Sequence, residues 1–254
     1  MSDPNYWDSL ARKRQEIKSR GPLRQTLEWE ADDPAQLFAQ LLSEHAKDAQ
    51  LALDLGCGEG STARTVAGLA GCVVACDMSA LALQTAARLT AHPNIHYVQA
   101  DADAMPFSDS SFDLAYSRRG PALESRQALL EAARVMSHRA VLVGLAVGES
   151  HRIETQEIFG RGRGWGPVTP VRFSIPQKVA ATGLELIFFS EYYANGYYPD
   201  IHTYSELLAA TPLIPDFDPE KDAVFLREVE RKLKTDRGIR DTEHMAIFIA
   251  RKPD

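Results

Sequence analysis

The stretch Leu51–Ser61, Leu-Ala-Leu-Asp-Leu-Gly-Cys-Gly-Glu-Gly-Ser, limits what this chain can fold into more than any other. Leu51, Leu53 and Leu55 belong to an apolar run of the kind that forms a buried strand. Gly56, Gly58 and Gly60 follow at alternate positions; lacking side chains, they let a ligand approach the backbone. Ser61 is suited to cap a helix over Thr62–Leu69. Strand, glycine turn and helix in that order predict a crevice at the carboxyl end of a parallel sheet. The spacing departs from Gly-x-Gly-x-x-Gly, which seats a pyrophosphate on helix N–H groups. Asp54 also stands before the turn, where a carboxylate would repel a pyrophosphate and serve a ligand carrying an ammonium group.

Downstream segments extend the pattern. The apolar run Cys72–Cys76 ends at Asp77, seventeen residues beyond Gly60, where an acid can accept two ribose hydroxyls. Val98–Phe107 reads Val-Gln-Ala-Asp-Ala-Asp-Ala-Met-Pro-Phe, and Ser111–Tyr116 reads Ser-Phe-Asp-Leu-Ala-Tyr. With the Asp-x-Gly-x-Gly-x-Gly turn, these resemble, in order, the segments of class I S-adenosylmethionine-dependent methyltransferases. The resemblance covers Leu51–Ser117 and runs more loosely to Gly148. Within the class, the chain is similar to small-molecule and quinone-type C-methyltransferases and to a group of ribosomal RNA guanine methyltransferases. It implies an S-adenosylmethionine donor held by Asp54, Gly56, Cys57, Gly58, Gly60, Asp77, Met78, Asp101, Ala102 and Ser117. Asp101 would face the adenine amino group and the Ala102 backbone the ring edge.

Alternating strands and helices predict an α/β fold: a Rossmann-like, doubly wound seven-stranded sheet, mostly parallel, with the last strand antiparallel. Strands are expected at Leu51–Leu55, Cys72–Cys76, Ile95–Gln99, Asp113–Ser117, Ala140–Val147, Leu184–Tyr192 and His244–Ala250. A helix over Pro121–Met136 would turn Leu123, Leu130 and Val135 inward. The expected division is N-terminal helices over 1–48, a donor-binding core over 49–195 plus 241–254, and an inserted cap over 196–240. About fifty residues part the last two strands, longer than a simple loop.

Toward the acceptor the residues are less specific. Arg118 and Arg119 follow the fourth strand, where two guanidinium groups would hold a substrate carboxylate or phosphate. Gly160–Pro167 alternates glycine with Arg161, Arg163 and Trp165 and reads as a mobile segment, either a lid over the substrate or a flexible surface connection. Tyr193 lies in an aromatic cluster suited to line a pocket or, equally, to form the cap's own small core. His151, His202 and Tyr193 are candidate general bases by position, and Trp29 and Glu30 are placed at the border of the donor pocket. No residue is assigned to catalysis, because displacement at an activated methyl carbon mainly needs alignment and exclusion of water.

A formal charge of −7 gives no general attraction to nucleic acid, although a local basic patch is compatible with it. An RNA-methylating reading would need Arg118, Arg119, Arg161 and Arg163 gathered with the basic segment 2–24. The alternatives to a small-molecule methyltransferase are therefore an RNA base methyltransferase and a catalytically silent donor-binding protein. Cys57, Cys72 and Cys76 lack zinc-site spacing, so no metal is expected. With no signal-type apolar core and no apolar run long enough to span a bilayer, a cytoplasmic protein without a membrane partner is expected.

Overall fold

The computed structural model describes residues 3–22 and 24–254; the side chain of Leu123 also falls outside the description. Its centre is β2 (Leu51–Leu55), flanked in parallel by β3 (Cys72–Asp77) and β5 (Phe112–Arg118). Beyond β3 lies β4 (Ile95–Gln99), and beyond β5 lies β6 (Met136–Val147). The strand order therefore reverses between β2 and β5, which opens a crevice beyond their carboxyl ends.

The last long strand, β9 (Gly238–Arg251), runs antiparallel to both β6 and β7 (Glu185–Tyr198). These seven are the expected strands. Two short ones join them in a nine-stranded sheet: β1 (Thr26–Trp29) on the edge of β7, and β8 (Lys234–Thr235) against β9. Trp29 and Glu30 thus lie at the β7 edge, where the Glu30 N–H bonds the Tyr193 carbonyl, five strands from β2 rather than at the donor crevice.

Helices cover both faces. Before the sheet come α1 (Pro4–Arg20), capped by Asp3, and α2 (Pro34–Ala46), capped by Asp33. Next are α3 (Ser61–Val66), α4 (Ala80–Leu89) and α5 (Arg126–Val135). Residue 61 is the first helical residue rather than the cap, because left-handed Gly60 (φ 78°) occupies the cap position. The helix expected from Pro121 is split: a 3-10 turn spans Pro121–Leu123, and Ser125 caps α5 anew by accepting the Gln127 and Ala128 N–H groups. The restart rotates the apolar face, so Leu129, Ala132 and Val135 are buried and Leu130 is half-buried. The expectation for Leu123 lies outside the described residues.

Period-two alternation divides the core between the two faces of the sheet. Leu53, Leu55, Leu142 and Phe248 pack with Leu129 and with Ile175 of α7 (Val171–Ala180). Ala52, Leu114, Val143 and Ile247 pack with Phe38 and Leu42 of α2. A third cluster joins Phe159 of α6 (Ile153–Phe159) to Leu207 and Leu208 of α8 (Ile201–Ala209) and to Leu226 and Val229 of α9 (Ala223–Leu233). Tyr198 and Tyr204 are buried in it. No helix among the described residues is long and apolar enough to cross a membrane.

Candidate active site

The glycine turn after β2 is tied to the end of β3. The Gly56 and Cys57 N–H groups both donate to the Cys76 carbonyl at 2.9 Å. Asp77 then bridges two segments: Oδ2 accepts the Gly58 N–H at 2.8 Å and Oδ1 the Ser79 N–H at 2.9 Å. Gly56, Gly58 and Gly60 all have left-handed φ values, of 75°, 54° and 78°. A Cβ at Gly56 would lie 2.6 Å from Pro121 Cδ, and one at Gly60 would strike Thr90 and Tyr97. A Cβ at Gly58 would meet nothing within 4 Å, so the turn is open to a ligand there.

Beneath the turn, Asp54 is only 1% exposed. Burial and the neighbouring Asp77 push its pKa up to about 8, against the nearby Tyr116 hydroxyl and Ala63 N–H. Asp54 Oδ2 and the Tyr116 hydroxyl are buried without a closed hydrogen bond. Burial therefore favours the protonated acid near neutral pH. Cys57 sits at the same turn, where burial and both acids raise its thiol pKa.

The other residues expected at the donor stand at adjacent strand ends. The Met78 carbonyl accepts from Gln99 Nε2, and Asp101 Oδ1 closes a turn on the Asp103 N–H at 2.9 Å. Ala102 is buried beside Asp101. Ser117 Oγ is committed to the Leu55 carbonyl at 3.0 Å, which locks the ends of β5 and β2 together. One participant was not legible in the sequence: Asp8 of α1 accepts from Ser79 Oγ at 2.6 Å and from the Leu81 N–H at 3.2 Å. Lys18 pairs with Glu59 of the turn, so α1 is fastened both to the turn and to the start of α4.

Beside the turn, at the carboxyl ends of β5 and β6, is a cavity of about 510 Å³ lined among others by Arg119, Glu149, His151, Gln156 and Lys178. Arg119 takes φ 56° with its N–H bonded to the Leu145 carbonyl, and Arg118 and Arg119 are both exposed at the strand end. The Gly160–Pro167 loop is pinned rather than free. Arg161 binds Asp222 through two bonds of 2.8 and 2.7 Å, Arg163 pairs with Glu124, and the Gly164 N–H donates to Gln156 Oε1 at 2.7 Å. Its glycines admit close packing against Gln156, which is why glycine content suggested mobility where there is contact. Gly164 and Arg163 reach the cavity wall; Trp165, 45% exposed, is not among the lining residues.

The base candidates separate sharply. His151 Nε2 lies 2.8 Å from Arg152 Nη1, and Nδ1 stands 3.5 Å from the His244 amide nitrogen and 3.4 Å from Glu243. Burial and Arg152 push its pKa down to about 3, so it is neutral with both ring nitrogens engaged. His202 is on the outer surface near Glu206. Tyr193 stacks on His244 with ring centroids 4.2 Å apart, and its hydroxyl donates to Glu191 at 3.3 Å.

His244 Nε2 lies 3.3 Å from Glu191 without closing an aligned hydrogen bond, and Nδ1 lies 3.9 Å from Glu149. These three side chains form a group compact enough to hold a metal ion. However, Nδ1 accepts the Ser150 N–H at 3.2 Å, so the neutral ring keeps its proton on Nε2, facing Glu191. The trio therefore reads as a histidine–carboxylate pair.

Residues 52–139 match the family model of the Methyltransferase domain. Over 92 residues the chain is 37% identical to demethylmenaquinone methyltransferase of Paenarthrobacter aurescens, a match spanning 35% of each protein. The chain thus spans about a third of that relative's length. In fold it is similar to a methyltransferase from Bacillus halodurans (TM-score 0.66, 19% identity, 85% of this chain and 99% of that one). It is also similar to the [4+2]-cyclase SpnF (TM-score 0.64, 20% identity, 98% and 95%).

Proposed function

We propose that this chain, which by domain and fold belongs with the class I S-adenosylmethionine-dependent methyltransferases, moves a methyl group from S-adenosylmethionine to a small or medium-sized organic acceptor. The observation that carries the acceptor class is the 510 Å³ cavity beside the glycine turn, a size typical of small-molecule sites.

On the donor side, Gly58 offers open backbone, Asp77 would turn its carboxylate to the ribose, and Asp101 with Ala102 would border the adenine. Met78, Cys57, Gly56, Gly60 and Ser117 shape the wall, and Asp54 beneath the turn would gain charge as a cation arrives. The bound donor supplies a methyl carbon activated by its sulfonium. The protein aligns the acceptor with that carbon and keeps water out. We read 196–240 as a cap over this site, since Leu213 reaches the cavity wall.

Two arginines that an RNA-binding face would need are neutralised by Asp222 and Glu124, which disfavours transfer to RNA. Likeness to a cyclase keeps a second reading, a donor-binding fold without methyl transfer, within the same test. Protein incubated with methyl-labelled S-adenosylmethionine and a bacterial extract is expected to label the small-molecule fraction. Label in RNA would replace the acceptor class, and donor binding without label anywhere would favour the silent reading.

A further inference from the structure

Charges around the acceptor cavity are matched almost throughout. Arg163 is paired with Glu124, and Arg152 is paired with Glu243 at 2.7 Å. Lys178 is also engaged. Glu149, the other acid of the wall, accepts the Val171 N–H at 3.0 Å. Arg119 differs: among the described residues its guanidinium has no hydrogen-bond or ion-pair partner. The other charged groups around it are Arg118, Arg152 and Arg14, with Glu243 already committed to Arg152.

This placement is built into the backbone. Gly120 has no room for a Cβ, which would lie 2.6 Å from the Leu55 carbonyl, and Pro121 lies against Gly56. The segment from Ser117 to Pro121 is therefore clamped to the glycine turn. At its midpoint Arg119 takes a left-handed conformation that is costly for a residue with a side chain. An unpaired guanidinium standing among other cations, at the junction of the glycine turn and the cavity, is a receptor for an anion. Its planar fork matches a carboxylate bidentately.

We infer that Arg119 holds an anionic oxygen group, a carboxylate or its equivalent, carried by the acceptor or by the amino-acid end of the donor. This rests on the donor reading only for the second source. The test uses full-length wild type, Arg119→Gln and Arg119→Lys, with thermal melting as a check on folding. Calorimetry compares S-adenosylmethionine with its decarboxylated analogue, and benzoate and inorganic phosphate with neutral benzamide. If the acceptor carries the anion, benzoate or phosphate binds wild type and Arg119→Gln weakens it about tenfold or more, with Arg119→Lys between. Both donor forms then bind all three proteins alike.

If the donor carries the anion, wild type prefers S-adenosylmethionine to the decarboxylated form by about tenfold, and Arg119→Gln removes the preference. The inference is overturned if folded Arg119→Gln leaves both comparisons unchanged. If neither donor form binds wild type, the donor reading falls, and the benzoate and phosphate arm alone decides for Arg119.

Discussion

Asp77 and Gly58 are joined by a 2.8 Å hydrogen bond from the Gly58 amide to the Asp77 carboxylate, so the acid that ends one strand fixes the turn that follows its neighbour. The turn and the proposed ribose site therefore share a group. Asp77→Ala is expected to weaken S-adenosylmethionine and S-adenosylhomocysteine about 10- to 100-fold, in line with the net loss of one charge-assisted bond at ~1.5–3 kcal/mol. Titration calorimetry checks this; affinity unchanged in a folded variant would remove Asp77 from the site.

The glycines of the turn should respond differently to a methyl group. Gly58→Ala pays mainly for its left-handed φ, roughly 1–2 kcal/mol of stability, because nothing stands near the added Cβ. Gly56→Ala adds a 2.6 Å approach to Pro121 and should be the more destabilised by thermal melting. In donor titrations the Gly58 variant should lose affinity although it folds. The reverse order of stability would mean that the Pro121 contact is soft.

Asp54 sets a pH dependence. Its folded-state pKa of about 8 lies above the ordinary 3.8, so its full contribution to stability is present below about pH 4. That contribution is lost as pH rises toward 8, by up to about 1.4 kcal/mol per pH unit, and levels off above it. Asp54→Asn should flatten melting temperature against pH across this window. Parallel wild-type and variant curves would mean the carboxyl is already ionised when folded.

The buried group around Arg152 predicts an opposite slope. Burial would raise the pKa of Glu243, but the Arg152 charge and the bond from the Tyr198 hydroxyl hold it below the ordinary value. Glu243→Gln strands the Arg152 charge and should cost ~3–5 kcal/mol, lowering the melting temperature by on the order of 10 °C. His151, held near pKa 3 against an ordinary 6.5, contributes stability present above pH 6.5 and lost as pH falls toward 3. Histidine NMR on wild type should find His151 neutral at pH 5; a charged ring there would overturn the assignment.

What the sequence made legible has a physical pattern. Leu51–Leu55 and Ile95–Gln99 are strands with the expected bounds because each is a short run ended by turn residues. The glycine turn, Asp77 and Asp101 lie at neighbouring strand ends because their spacing is local. Long-range partners left no such mark: Asp8 meets Ser79 across seventy-one residues, and Arg152 meets Glu243 across ninety-one. β1 is four residues long and exists through pairing with β7. In β7, expected to end at Tyr192, burial goes on alternating through Ala194, Gly196 and Tyr198, since pairing with β9 carries the strand on.

α1 is pinned on one flank by Asp8 to Ser79, two residues past Asp77, and on the other by Arg14 Nε to the Ala210 carbonyl just beyond α8. One helix thus ties the segment after β3 to the segment after α8, so a change that displaces α1 breaks fastenings on both flanks at once.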